Sequence, residues 1–259
     1  MADQLIHEYL ARLATTEGTP DPVLLKELQE RHLMTVPFEN IDFHLGEPIR
    51  LGEAAVEKVA RRSRGGTCRE LNGSAFPALL TALGYRVSLL GSRVFVAGRA
   101  TFPLAHTVIR VDCPRPWLVD VGIGKDGPVH PLRLDLSGPQ HDQNGTYEVV
   151  DRPDGDVDVF RDGEPALRIE QRPRDLDDFR PVLWWFESSP DSPFRDNLFC
   201  TRTTALGRLT LRGNVLTRTE GANRETTVLG DDTEIARAYL ECFDITLDRL
   251  PPIPARGAG

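Results

Sequence analysis

No stretch of this sequence approaches the about 20 consecutive apolar residues a membrane-spanning helix requires. The opening Met-Ala-Asp-Gln-Leu-Ile-His has neither the basic start nor the apolar core of a secretory signal. The expected location is therefore the cytoplasm, with no membrane partner. Positive charge is scarcer than negative: 31 Lys and Arg against 39 Asp and Glu leave a formal net charge of −8. Such an acidic balance argues against general binding to nucleic acid or to anionic membranes. It leaves room for a local basic pocket, and Arg61, Arg62 and Arg64 form one cluster. Cysteine is sparse, four in 259 residues, with no C-x-x-C pair, so neither a zinc site nor any other metal is expected. Disulfides are not expected in a reducing compartment. Cys113, Cys200 and Cys242 sit in apolar or strand-like contexts and read as small buried hydrophobes. Cys68 does not.

The first third has helical periodicity. Leu5, Ile6, Tyr9, Leu10 and Leu13 recur at helical spacing. Asp21-Pro22 offers an N-cap and a first-turn proline for a helix over 23–32. Val56 and Val59 share one face of a helix over 53–62. A fourth helix is predicted over 68–83 from the stripe Leu71, Ala75, Ala78, Leu79 and Ala82, kinked at Pro77 and capped by Gly84. The middle turns to short strands at 86–96, 106–111, 117–121, 147–150, 157–160 and 166–170, a pattern that suits a barrel or strongly curved sheet. The last third reads as a meander over 208–211, 215–219 and 225–229, then a helix over 232–243 with Ile235, Tyr239 and Cys242 on one face. The proline-bearing tail 251–259 is expected to be mobile.

The segment Arg64-Gly65-Gly66-Thr67-Cys68-Arg69-Glu70-Leu71-Asn72 carries the chemistry. Two glycines let the backbone turn sharply just before the apolar stripe. Cys68 then falls in the first turn of a helix, where free amides and the dipole favour a thiolate. A Gly-Gly helix entry with an incidental cysteine explains the segment equally well. A nucleophilic thiolate needs an imidazole and a group to orient it. His7 and His32 lie on helix faces as surface or packing residues, and His44, His130 and His141 lie in loops without a partner pattern. His106 opens the apolar strand Thr107-Val108-Ile109-Arg110-Val111, and Asp120 interrupts another, Trp117-Leu118-Val119-Asp120-Val121. A buried carboxylate needs a partner, either an ion pair or turn cap, or an imidazole on the neighbouring strand. A turn over 113–116 sets His106 and Asp120 side by side. The order Cys, His, Asp is also that of the papain and transglutaminase superfamily.

The segment 64–72 resembles the R-G-G-aromatic-C-aromatic-E-x-N signature of the arylamine N-acetyltransferases. Val36-Pro37-Phe38-Glu39-Asn40-Ile41-Asp42 is similar to that family's V-P-F-E-N-L element, and Trp117 to Gly124 to its V-D-V-G-F-G segment. Asp191-Ser192-Pro193-Phe194 and Gly207-Arg208-Leu209-Thr210-Leu211 also resemble family positions. The resemblance implies an α+β fold with a cysteine-protease-like core: a helical bundle over 1–84, a β-barrel over 85–190 and an α/β lid over 191–259. It implies ping-pong transfer of an acetyl group from acetyl-CoA to an aromatic amine or hydrazine. Cys68 is then the nucleophile, held largely as a thiolate, His106 the base and Asp120 its orienter. The resemblance also implies that Gly124, Lys125 and Gly127, in the turn after Asp120, contact the CoA phosphates; a plain turn between strands is the alternative.

Three positions depart from the family pattern. Thr67 and Arg69 stand where aromatic residues are frequent, and Ile123 where phenylalanine is common. With Phe38 as one wall, Thr67 and Ile123 are expected in the acceptor pocket, so the acceptor is the open question. Arg69 either favours the thiolate or points to solvent, and the helix pattern favours solvent. Ansamycin-type amide synthases, which close a macrolactam from a polyketide-type acyl thioester, are the alternative within the resemblance. A hydrolase or transglutaminase-like enzyme, and a binding protein on the same fold, are the readings from other classes. Oligomeric state leaves no mark in the sequence.

Overall fold

The computed structural model describes residues 2–254. Asp21 opens the helix Pro22–Thr35 by accepting the Val23 and Leu24 amides at 2.9 and 2.8 Å, with Pro22 in the first turn, where its missing N–H leaves no gap. Together with the helices Ala2–Arg12 and Glu53–Arg61 it buries Leu5, Tyr9, Leu13, Leu25, Val56 and Val59 in one apolar cluster. His32, expected on a helix face, lies fully inside that cluster.

The helix expected over 68–83 divides into the turn Cys68–Glu70, a widened π-type turn Leu71–Ala75 and the helix Phe76–Ala82. The interruption lies immediately before Pro77, whose missing N–H leaves the Gly73 carbonyl without its helical donor, and side-chain contacts accompany it. The Ser74 hydroxyl donates to the Arg69 carbonyl at 3.2 Å and accepts the Gly52 N–H at 2.9 Å, while the Phe76 amide reaches back to Leu71. The inserted residue lets Asn72 point sideways out of the helical register. Pro77 sits in the first turn of Phe76–Ala82, where it needs no kink. Gly84 follows with φ +89°, a left-handed helix ending.

An antiparallel sheet follows. Its spatial order is Leu132–Arg133, Arg115–Val119, His106–Cys113, Arg86–Val96, Glu164–Arg174, Val157–Arg161, Gly145–Asp151 and Gln140–Asp142. Its two ends meet through a side chain. The Gln140 amide accepts the Arg133 N–H at 2.7 Å and donates to the Arg133 carbonyl at 2.9 Å, imitating one rung of a ladder. The sheet thus curls into a nearly closed barrel around Leu90, Val108, Leu118, Tyr147, Val159 and Ile169. His141, expected in a loop, belongs to the last of these strands.

A second sheet runs Phe38–Glu39, Phe199–Thr204, Gly207–Arg212, Val215–Glu220 and Asn223–Val228. The helix Asp232–Phe243 packs Ile235, Ala238, Tyr239 and Phe243 into the cluster containing Cys200, Leu209 and Leu211. Its first strand comes from the helical third of the chain, with Phe38 opposite Thr201. Helices, barrel and C-terminal sheet make an α+β fold, interleaved at Phe38–Glu39. Pro251 is buried, and residues 255–259 of the tail lie outside the described residues. Among the described residues, no helix is long and apolar enough to cross a membrane.

Candidate active site

The Cys68 turn is fixed from behind by buried charges. Arg64 donates to Glu39 at 2.9 Å and to Asp42 at 2.6 Å, and Lys58 meets Asp42 at 2.6 Å and Glu70 at 2.7 Å. Burial opposes the charge on Lys58, yet the three surrounding carboxylates raise its pKa on balance. The second Glu70 oxygen accepts the Thr67 amide at 2.8 Å and the Thr67 hydroxyl at 3.2 Å, closing the helix start. Gly65 and Gly66 do not adopt positive φ. They are glycines because a Cβ would strike the Pro37 carbonyl at one position and the Glu70 side chain at the other. The expectation of a sharp glycine turn is thus replaced by close packing.

His106 opens its strand and Asp120 lies just beyond the partner strand, which ends at Val119 rather than 121. The strand stops because the Asp120 carboxylate accepts the Gly122 N–H at 2.9 Å and turns the chain. Pairing of Ile109 with Val119 then leaves Asp120 across the hairpin from the start of the His106 strand. The second Asp120 oxygen meets His106 Nε2 at 2.7 Å. That contact leaves Nδ1 for the thiol. Burial pulls the His106 pKa down, but Asp120 and Cys68 together raise it to about 10. At Cys68 burial favours the neutral thiol, and Arg69, His106 and a backbone hydrogen bond from Thr107 overcome it, so its pKa is lowered. Both shifts act in favour of the charged pair, thiolate and imidazolium.

Two residues not singled out as site members complete the arrangement. Asn72, fully buried, donates to Asp120 at 2.6 Å and to the Thr107 carbonyl at 2.8 Å, and accepts the Val121 N–H at 2.8 Å. Gly122 touches Cys68: a Cβ there would lie 2.8 Å from Cys68 Cα. Both fall inside the motifs quoted from the sequence, where only their family positions marked them.

A cavity of about 450 Å³ opens onto Cys68 and His106. Phe38, Ile123, Phe95, Phe186 and Phe194 line it. Thr67, expected as a wall, is not among the lining residues; it is 1% exposed and engaged by Glu70. Arg69, expected in solvent, is also 1% exposed and does line the cavity. The aromatic walls from Phe186 and Phe194 come from beyond the barrel, at a sequence distance no local pattern spans. Gly124, with φ +79°, packs against Phe38, and a Cβ on Gly127 would strike Ile123, so both glycines have a packing reason. Lys125 between them is exposed.

The remaining polar candidates lie elsewhere. His7 is exposed near Glu17, His44 occupies the short helix Ile41–Leu45 rather than a loop, and His130 meets Asp142 at 3.1 Å. The four cysteines are free, Cys113 and Cys200 buried and Cys242 half-buried. Among the described residues, no group of three or more His, Cys, Asp or Glu is placed to hold a metal ion.

Known proteins are similar to this chain over nearly its whole length. A family model described as N-acetyltransferase matches residues 23–251. The arylamine N-acetyltransferase of Mycobacterium tuberculosis is 33% identical over 254 residues, covering 93% of this chain and 88% of the relative. The solved arylamine N-acetyltransferase of Salmonella typhimurium superposes with a TM-score of 0.87 at 27% identity, covering 95% of this chain and 92% of that one. The Mycobacterium marinum arylamine N-acetyltransferase, solved in complex with CoA, gives 0.83 at 29% identity, with 93% and 92% covered. With the family model spanning most of the sequence and relatives matched nearly end to end, the chain belongs to the arylamine N-acetyltransferase family.

Proposed function

We propose that this chain moves an acetyl group from acetyl-CoA to an aromatic amine or hydrazine, through an acetyl thioester on Cys68. The reading rests chiefly on one observation: His106 is tied to Asp120 at 2.7 Å and flanks a buried thiol whose pKa is lowered, at the floor of a cavity. Family membership supports acetyl transfer, and the relative solved with CoA supports that donor.

The Cys68 thiolate attacks the thioester carbonyl and the negative charge moves to oxygen. Collapse breaks the bond to CoA sulfur, and the His106 imidazolium protonates the departing thiolate. The amine nitrogen then attacks acetyl-Cys68. Neutral His106 takes the proton from nitrogen, and collapse returns the Cys68 thiolate beside a protonated His106. Asp120 holds the ring and carries the countercharge throughout.

Phe38 and Ile123 serve as acceptor walls in this reading, joined by Phe186 and Phe194, whose rings lie 4.9 Å apart. Flat aromatic acceptors suit such walls. A cavity of about 450 Å³ falls within the range of small-molecule sites and favours a small acceptor over a macrolactam precursor. Lys125 is kept as the contact for CoA phosphates, while Gly124 and Gly127 shape the turn that presents it. The three-part division at residues 84 and 190 is likewise kept, with Phe38–Glu39 crossing into the C-terminal part.

Initial rates measured against acetyl-CoA and an arylamine such as 4-aminobenzoate test the scheme. Parallel double-reciprocal lines are expected, since CoA leaves before the amine reacts. Converging lines would exclude the covalent route. Turnover with a long-chain acyl thioester and none with acetyl-CoA would favour the amide-synthase alternative.

A further inference from the structure

Arg69 lines the cavity and, beside His106, directly touches the sulfur. Its Nη1 donates to Cys68 Sγ at 3.3 Å, and Nη2 donates to the carbonyls of Leu104 and Ala105 at 2.9 and 3.1 Å. The guanidinium carbon lies 4.7 Å from the centre of the Phe186 ring. Two carbonyls and one aromatic face therefore hold the group in place, and Nε is buried without a hydrogen-bond partner. A cation this buried requires a countercharge. Glu70, one residue along, is turned away to Lys58 at 2.7 Å. Asp120 is engaged by His106, Asn72 and Gly122. Arg161, Asp162 and Glu164 line the cavity from the barrel hairpin, and Arg161 and Asp162 lie 3.6 Å apart. Glu164 is a further carboxylate on the cavity wall, and the Cys68 sulfur is the ionisable group that the Arg69 guanidinium directly touches.

We propose that Arg69 is a catalytic residue of this site, a fixed cation that holds Cys68 as a thiolate alongside His106 and favours anionic reactants at the sulfur. The inference about the thiolate stands without the acetyl-transfer scheme. The inference about acceptors rests on that scheme. With the sulfur ionised, the charges of Cys68, His106, Asp120 and Arg69 cancel. Acylation makes the sulfur a neutral thioester and the protonated His106 gives its proton to the leaving CoA. His106 is then neutral; Asp120 and Arg69 still cancel in sum, but Arg69 has lost the anion that it touches at the sulfur. An aromatic amine bearing a carboxylate brings an anion back to Arg69 when it binds, so such acceptors are favoured over neutral ones of equal size.

Alkylation of Cys68, followed by mass spectrometry of its peptide, tests this without any acyl donor. Iodoacetamide reports the thiolate fraction as a function of pH, and the ratio of iodoacetate to iodoacetamide rates reports the local field. In Arg69→Gln, which keeps donors but loses the charge, the alkylation midpoint should rise by about one unit or more and the ratio fall by about tenfold. Arg69→Lys should recover most of both changes. Should the glutamine variant not fold, Arg69→Met supplies the same comparison at similar volume. An unchanged midpoint and an unchanged ratio in a folded, uncharged variant would overturn the proposal. Failure of acetyl-CoA to react, with the alkylation shifts present, would instead count against acetyl transfer and leave Arg69 as the thiolate's partner.

Discussion

Asn72 and Asp120 are joined by a 2.6 Å hydrogen bond that links the helical segment begun by Cys68 to the strand hairpin. The same amide spans to Thr107 and Val121, so one side chain fixes the carboxylate, the start of the His106 strand and the turn after Asp120. Removing it in Asn72→Ala frees the carboxylate to rotate. The expected loss is about tenfold to a hundredfold in kcat/KM, the equivalent of one hydrogen bond to a charged group. Steady-state kinetics with an arylamine check it, and a variant within twofold of the parent would deny Asn72 a positioning role.

Asp120→Asn keeps the shape and removes the charge that raises the His106 pKa. A rate loss of about 10³ to 10⁴ is expected. Stability should respond as well. A histidine whose folded pKa is raised contributes stability fully present below its unfolded value of 6.5, and loses it as pH rises through about 10. Urea unfolding of the parent from pH 6 to pH 10 should therefore show a decline that Asp120→Asn largely lacks. Equal pH dependence in the two proteins would contradict the His106–Asp120 charge pairing.

Lys58 separates three carboxylates at the back of the Cys68 turn, those of Glu39, Asp42 and Glu70. Lys58→Met leaves buried negative charge with only Arg64 to compensate. Destabilisation of about 3–5 kcal/mol is expected, read from the denaturant midpoint. A change below about 1 kcal/mol, within reach of an exposed ion pair, would show that the network is solvated.

His32 is packed between Tyr9 and Phe76, and neither ring nitrogen has a hydrogen-bond partner among the described residues. Burial, reinforced by Arg12, pushes its pKa from 6.5 down to about 3. Between these values the unfolded chain binds the proton more readily, so folding stability falls as pH drops below about 6.5. The slope from this one group reaches about 1.4 kcal/mol per pH unit. His32→Leu should flatten the stability profile between pH 6 and pH 4; a profile parallel to the parent's would place the acid sensitivity elsewhere.

Much of the architecture was legible from local pattern. Asp21-Pro22 marked a helix start, and the alternating runs at 86–96 and 106–111 marked strands, because caps and pleat periodicity act over a few residues. The π-type turn at Leu71–Ala75 was not legible, since the contacts that accompany it include Ser74 meeting Gly52 across the fold. The burial of Arg69 is illegible for a related reason. Helical periodicity placed it toward solvent, while Leu104, Ala105 and Phe186, all remote in sequence, supply its burial. Thr67 was misplaced because the capping role of Glu70 turned it inward. Barrel closure by the Gln140 side chain has no periodic signature at all.

The covalent role of Cys68 is tested most directly by intact mass spectrometry after incubation with acetyl-CoA, before and after addition of an arylamine. One acetyl group mapping to Cys68, absent from Cys68→Ala and discharged by the amine, is the expected result. An unmodified chain that still acetylates the amine would contradict covalent transfer through this residue.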